Sequence, residues 1–196
     1  MEVEDGIIKR EIFSREKIRL LIVVKEPNKT NHNDQGGSFI REWGERRPNY
    51  SFAHRVAELS YGILENFPQY DRISQDKEMR FSVLKRIALI NVKKTGGGST
   101  SSDKVIMNAV RDNKDTILSQ IKTISPTHIL FGLSNNNIIE LLIGKAILRP
   151  TGWGCHAGEW NGIKVIAFYH PSARVGPAAL YSFLKINFDH LRWSHQ

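Results

Sequence analysis

Apolar positions along this chain fall into two alternating patterns. Continuous runs rich in β-branched residues mark strands buried on both faces, and three-to-four spacing marks helices that bury one face. Ile18 to Val24 is a run of the first kind, closed by Pro27, and Ile87 to Val92, His128 to Leu133 and Lys164 to Tyr169 repeat it. A helical pattern follows each run. Ser51 to Leu64 places Phe52, Val56, Leu59, Tyr61, Ile63 and Leu64 at mostly helical spacing, with Ser51 available as a cap. Asp103 is placed to cap a helix carrying Val105, Ile106, Ala109 and Val110; Ile138 to Ile147 and Pro177 to Phe188 supply the last two, Pro177 suiting a first helical turn. Strands separated by helical crossovers predict an α/β fold whose parallel sheet is covered on both faces. Polar stretches rich in Asn, Gly, Ser and Thr, Lys29 to Gly37 and Lys93 to Ser102, read as loops, and no internal repeat interrupts the single domain expected over 1–196 with its core from about 18 to 188.

Ligands of such sheets bind outside the carboxyl ends of the strands, so the residues just after each run are the first candidates for chemistry. The first run delivers Lys25, Glu26 and Pro27; the second, Asn91, Lys93 and Lys94; the third, Ser134 and three asparagines; the fourth, His170, Pro171, Ser172 and Arg174. Alone, Glu26 would read as a solvated loop residue and His170 as a structural histidine. Together, expected at the ends of neighbouring strands, they form a hydrolytic pair: the carboxylate orients water and balances cationic charge, and the imidazole stabilises a departing anion. Asn91 carries the amide donor and acceptor that pair with a base edge. Gly96, Gly97, Gly98 and Ser99 lack the GK[ST] ending of a nucleotide P-loop, yet beside Lys93 and Lys94 they suit a nucleic-acid backbone. Trp43 and Tyr50 lie in the long polar segment Lys29 to Asn49 and its edge, where they can wall a base pocket; Phe52 reads as core. Strand alternation turns Lys25 away from Glu26, and Cys155 reads as packing.

Charge sharpens this picture. With 28 Lys plus Arg against 20 Asp plus Glu, the net charge of +8 favours a polyanionic partner. A single cysteine excludes a disulfide framework, a four-cysteine zinc site and a protein-held iron–sulfur cluster, and the seven histidines show no metal-ligand spacing. No apolar run reaches the roughly 20 residues of a membrane span, and Glu2, Glu4 and Asp5 replace the basic start of a signal peptide. A cytoplasmic protein is expected.

VVKEPN after the first run, IALINVKK at the second and VIAFYHPSAR at the fourth, in that order, resemble the motifs of the uracil-DNA glycosylase superfamily over Ile18 to about Phe188, HPS being the most specific. The resemblance implies a three-layer α/β/α sandwich with a central four-stranded parallel sheet. It also implies a monofunctional DNA glycosylase, monomeric and without metal or cofactor, that flips out uracil or a modified pyrimidine and leaves an abasic site. By position, Glu26 stands where the family has its water-positioning residue, Asn91 where it has the base-reading asparagine, and His170 where it has the histidine that bonds the pyrimidine O2. Ser172 matches a phosphate-contacting serine, and Arg174 takes the place of an apolar wedge, either filling the gap left by the flipped base or gripping a phosphate. Tyr50, with Trp43 behind it, is the expected stacking aromatic. The chain departs from the family in Val24, in a Glu rather than an Asp, and in lacking the cluster cysteines. Base-excision repair and defence against phage DNA carrying glucosylated hydroxymethylcytosine are both open at this point. A non-catalytic nucleic-acid binder and a small-nucleoside hydrolase are the competing readings.

Overall fold

A computed structural model describes residues 4–27, 38–96 and 102–193. Its first half runs β1 (Gly6–Ile7), α1 (Arg10–Phe13), β2 (Leu20–Val24), α2 (Phe39–Glu45), α3 (Ser51–Leu64), α4 (Tyr70–Ser74), α5 (Lys77–Leu84) and β3 (Ala88–Asn91). The second half runs α6 (Asp103–Ile124), β4 (His128–Gly132), α7 (Asn136–Ile143), β5 (Arg149–Pro150), β6 (His156–Trp160), β7 (Ile163–Ala167) and α8 (Pro177–His190).

The strands form one mixed sheet of seven in the order β1-β3-β2-β4-β7-β6-β5. Its centre, β3-β2-β4-β7, is parallel and corresponds to the four apolar runs. The expectation of a purely parallel four-stranded sheet is corrected at both edges, where β1 pairs antiparallel to β3, β6 to β7 and β5 to β6. These edge strands carry no apolar run: β1 and β5 are two residues long, and β6 is half-exposed HAGEW. The β6–β7 hairpin turns on Asn161 and Gly162, both at positive φ (50° and 77°), the pair that a tight hairpin turn requires.

Alternation along the central strands divides the interior into two cores. Leu20, Ile22 and Val24 of β2 join Trp43, Val56, Leu59 and Leu184 on one face, while Leu21 and Val23 join Ile106, Ile121, Ile138 and Phe131 on the other. All five residues of β2 are buried, so each contributes about 1.5–3 kcal/mol of transfer free energy. Gly62 permits the close packing of α3 against α8, since a Cβ there would lie 2.7 Å from Phe67 and 2.8 Å from Tyr181.

Helix positions differ in detail from the sequence pattern. Asp103 is the first residue of α6 rather than its cap, which is Ser102, and Tyr50 rather than Ser51 holds the cap position of α3. α7 stops at Gly144 (φ 99°), short of Ile147, and α2 lies within the stretch expected to be loop. Among the described residues, no helix is long and apolar enough to cross a membrane.

Candidate active site

The parallel strand ends lie side by side. Val24 is level with Asn91 on one side and Gly132 on the other, and Phe131 is level with Ala167. Pairing persists past the strands: the Val92 N–H donates to the Val24 carbonyl (2.9 Å), and the Lys93 N–H to that of Lys25 (3.0 Å). Glu26 and His170 therefore do not end neighbouring strands as expected, because β4 runs between them. Gly132 bridges the gap. A Cβ there would lie 3.0 Å from Pro171 Cδ, 3.4 Å from Val24 Cγ1 and 3.5 Å from His170 Cα, so the bare backbone lets the turn after β7 lean over β4.

His170 is held from three directions. Its backbone N–H faces the Ser134 hydroxyl at 3.4 Å, and Phe52 stacks on the imidazole at 5.8 Å and 24°. The Ser172 N–H donates to Nδ1 (3.1 Å), which makes Nδ1 an acceptor and puts the ring proton on Nε2. Burial, helped by the Lys25 charge, pushes the pKa of the imidazole down to about 4, so at neutral pH it is an uncharged ring with an Nε2–H donor. Such a group can stabilise a developing anion without first carrying a positive charge.

Glu26 sits on the opposite side of Gly132, its side chain 5% exposed, and its Oε2 accepts from Lys93 Nζ. That ammonium also donates to the Thr95 carbonyl (3.0 Å). Lys25 points the other way, as strand alternation predicts, and donates to Asp103 (3.1 Å). Asp103 also accepts from Asn135 (2.8 Å); that hydrogen bond first, and Lys25 after it, hold its carboxyl below the usual range.

Beyond β3 the polar residues are tied to one another. The buried Asp5 carboxylate accepts from the Asn91 backbone N–H (2.7 Å), Asn91 Nδ2 (3.1 Å), Lys94 Nζ (2.8 Å) and Gln120 Nε2 (2.8 Å). Lys94, expected at a backbone phosphate, is thus held by Asp5 and Gln120, and Lys93 pairs with Glu26. Asn91 keeps one capacity in reserve, a buried Oδ1 without a hydrogen-bond partner among the described residues.

Of the two aromatic assignments, that of Trp43 is corrected. Trp43 is fully buried, edge-on to Phe39 (5.2 Å), and its Nε1–H donates to the Tyr50 hydroxyl (2.7 Å); no face of it is open to a base. Tyr50 is partly exposed, and burial first, with the Glu42 carboxylate adding, raises the pKa of its anchored hydroxyl. The ring against His170 is Phe52, two residues on, whose helical spacing had marked it as core. Ser172 and Arg174 are exposed on the turn after β7, and Arg55 braces that turn through the Val175 carbonyl (2.8 Å). Gly97, Gly98 and Ser99 lie outside the described residues.

Cys155 is buried and its thiol is pushed up to about 12, in keeping with packing. Among the described residues, no three His, Cys, Asp or Glu side chains gather closely enough to hold a metal ion. Sequence reasoning missed Asp5, Phe52 and Gly132. Only Gly132, a glycine ending an apolar run, left a local signal. No known family profile matches this chain, and no curated protein does either.

Proposed function

We propose that this protein is a monofunctional DNA glycosylase, acting as a cytoplasmic monomer, that hydrolyses the N-glycosidic bond of a flipped-out uracil or modified pyrimidine. One observation carries the reading: the buried Glu26 carboxylate and His170, whose Nδ1 accepts from Ser172, follow parallel strands that lie on either side of β4, which ends at Gly132. The net charge of +8 and the motif resemblance support it. Glu26 orients the water and balances the oxocarbenium charge as the bond from C1′ to the base nitrogen breaks. Water oxygen bonds to C1′ as one of its protons passes to the Glu26 carboxylate and then to the departed base, the bonding pair leaves with the base, and the Nε2–H of His170 hydrogen-bonds the base oxygen that takes up the charge. Asn91, its Nδ2 spent on Asp5, offers Oδ1 to an N–H of the base. Lys93 leaves Glu26 for a strand phosphate on binding, while Ser172 and Arg174 contact the backbone.

The test is base release from oligonucleotides and phage DNAs containing uracil, mismatched thymine, and hydroxymethylated or glucosylated cytosine, followed by cleavage at abasic sites. Release of one base establishes the reaction and names the substrate. Tight, salt-sensitive binding with no abasic site on any substrate replaces it with the second reading, a non-catalytic nucleic-acid binder. That reading draws on the pairing of the buried Glu26 with Lys93.

A further inference from the structure

Among residues after β4, at the end of β7 and at the start of β6, a cleft of about 460 Å3 opens between Ser134, Asn136, Gly154, His156, Phe168 and Tyr169. The proposed reaction does not use it, yet it shares two residues with the reactive turn. Ser134 is the hydroxyl facing the His170 backbone, and Tyr169 immediately precedes His170. Tyr169 stays 43% exposed although its ring meets Phe168 (5.6 Å, 85°) and Phe183 (5.8 Å, 65°) edge to face. Phe183 also lies under Gly154, 3.2 Å from where a Cβ would stand, and the preceding residue, Trp153, is 51% exposed. Tyr169 and the 153–154 turn thus meet over one ring: the exposed Tyr169 lines the cleft together with hydroxyl, amide and imidazole groups, and the exposed Trp153 adjoins its lining residue Gly154.

A planar ligand with a hydrogen-bonding edge satisfies both features. Aromatic side chains stack on any base, and mixed polar and apolar walls fix its orientation. We propose that this cleft holds one unpaired nucleobase of the bound strand, next to the nucleotide at His170, so that the protein engages single-stranded or locally opened nucleic acid. The inference rests on the nucleic-acid reading above but not on catalysis.

Fluorescence anisotropy with a labelled single-stranded oligonucleotide, its duplex and a mononucleotide tests this on the full chain. Tyr169→Ala and Trp153→Ala should each weaken single-strand binding by about tenfold, with an unchanged salt slope because no phosphate contact is lost. Tyr169→Phe should retain wild-type affinity, and thermal melting verifies that each variant is folded. Unchanged single-strand affinity in both alanine variants overturns the proposal. Mononucleotide binding as tight as that of the oligonucleotide, lost in Tyr169→Ala, overturns it in favour of a free nucleotide. Failure of the glycosylase reading looks different: no base is released from any substrate, while the Tyr169→Ala binding defect persists.

Discussion

The two ends of the candidate site use polar residues in opposite ways. Beyond β3, charge is turned inward: Asp5 gathers Asn91, Lys94 and Gln120, and the cluster pins the edge strand β1 to the sheet and to α6. Beyond β7, the polar group is held by its backbone and by an aromatic face, with its Nδ1 side satisfied and the ring proton left on Nε2. A buried charge cluster tolerates little loss, because removing one member strands the others. A neutral imidazole on a braced turn carries no such debt and can interact with a ligand. Polarity at a strand end therefore marks a reactive group only where the protein leaves some of its hydrogen-bonding capacity unspent.

The largest expected effects separate the two ends. If the chemistry belongs to Glu26, Glu26→Gln should slow single-turnover base release by about 10²- to 10⁴-fold while changing oligonucleotide affinity little. Equal losses in both would move Glu26 into the structural class. Asp5→Ala should do the reverse. It leaves the Lys94 ammonium buried without its partner, and urea unfolding should show a loss of about 3–5 kcal/mol, with Asp5→Asn milder. A wild-type midpoint for Asp5→Ala would show that the cluster holds nothing together.

His170 gives the next effect through pH. Its folded pKa lies at about 4, below the ordinary 6.5, so between those values the unfolded chain binds more protons than the native one. Stability therefore rises with pH through this window. The contribution is present above pH 6.5 and is lost as pH falls towards 4, by at most about 3 kcal/mol. His170→Asn should flatten that part of the stability profile, and an imidazole NMR titration of the wild type should show no protonation at pH 6. A midpoint near 6.5 would mean that the ring is solvated and can bear a charge, which would remove its distinction from the β3 end.

How legible was all this in the sequence? The four central strands announced themselves because burial on both faces leaves a continuous apolar run, and Glu26 and His170 follow from the rule that ligands bind beyond such runs. β6 showed no run because, of its five residues, only Ala157 is buried, but its hairpin was written in the Asn161–Gly162 dipeptide. Asp5 left no local trace. Its partners lie 86 to 115 residues away, and only the antiparallel docking of β1 brings it to the end of β3. The misplacement of Trp43 has the same origin: a tryptophan in a polar segment reads as a surface ring until α2 folds it into the core. Phe52 does pack against the core as its helical spacing predicts, but spacing shows which face a residue takes and not that the face ends at His170.

The smallest effect probes the gap between the two ends. Gly132 has room for a Cβ only if Pro171, which follows His170, retreats by a few tenths of an ångström. Gly132→Ala should therefore cost about 1 kcal/mol in denaturant unfolding, while lifting the imidazole from its position relative to Glu26 and slowing base release by about tenfold. Gly176→Ala is the matching control: its Cβ meets nothing within 4 Å, so the rate should stay at wild type, with stability lowered only by the poorer N-cap of α8. If Gly132→Ala loses stability but keeps its rate, the lean of the turn over β4 serves packing alone. If it loses rate out of proportion to stability, the spacing between the carboxylate and the imidazole is set by a side chain that the sequence leaves out.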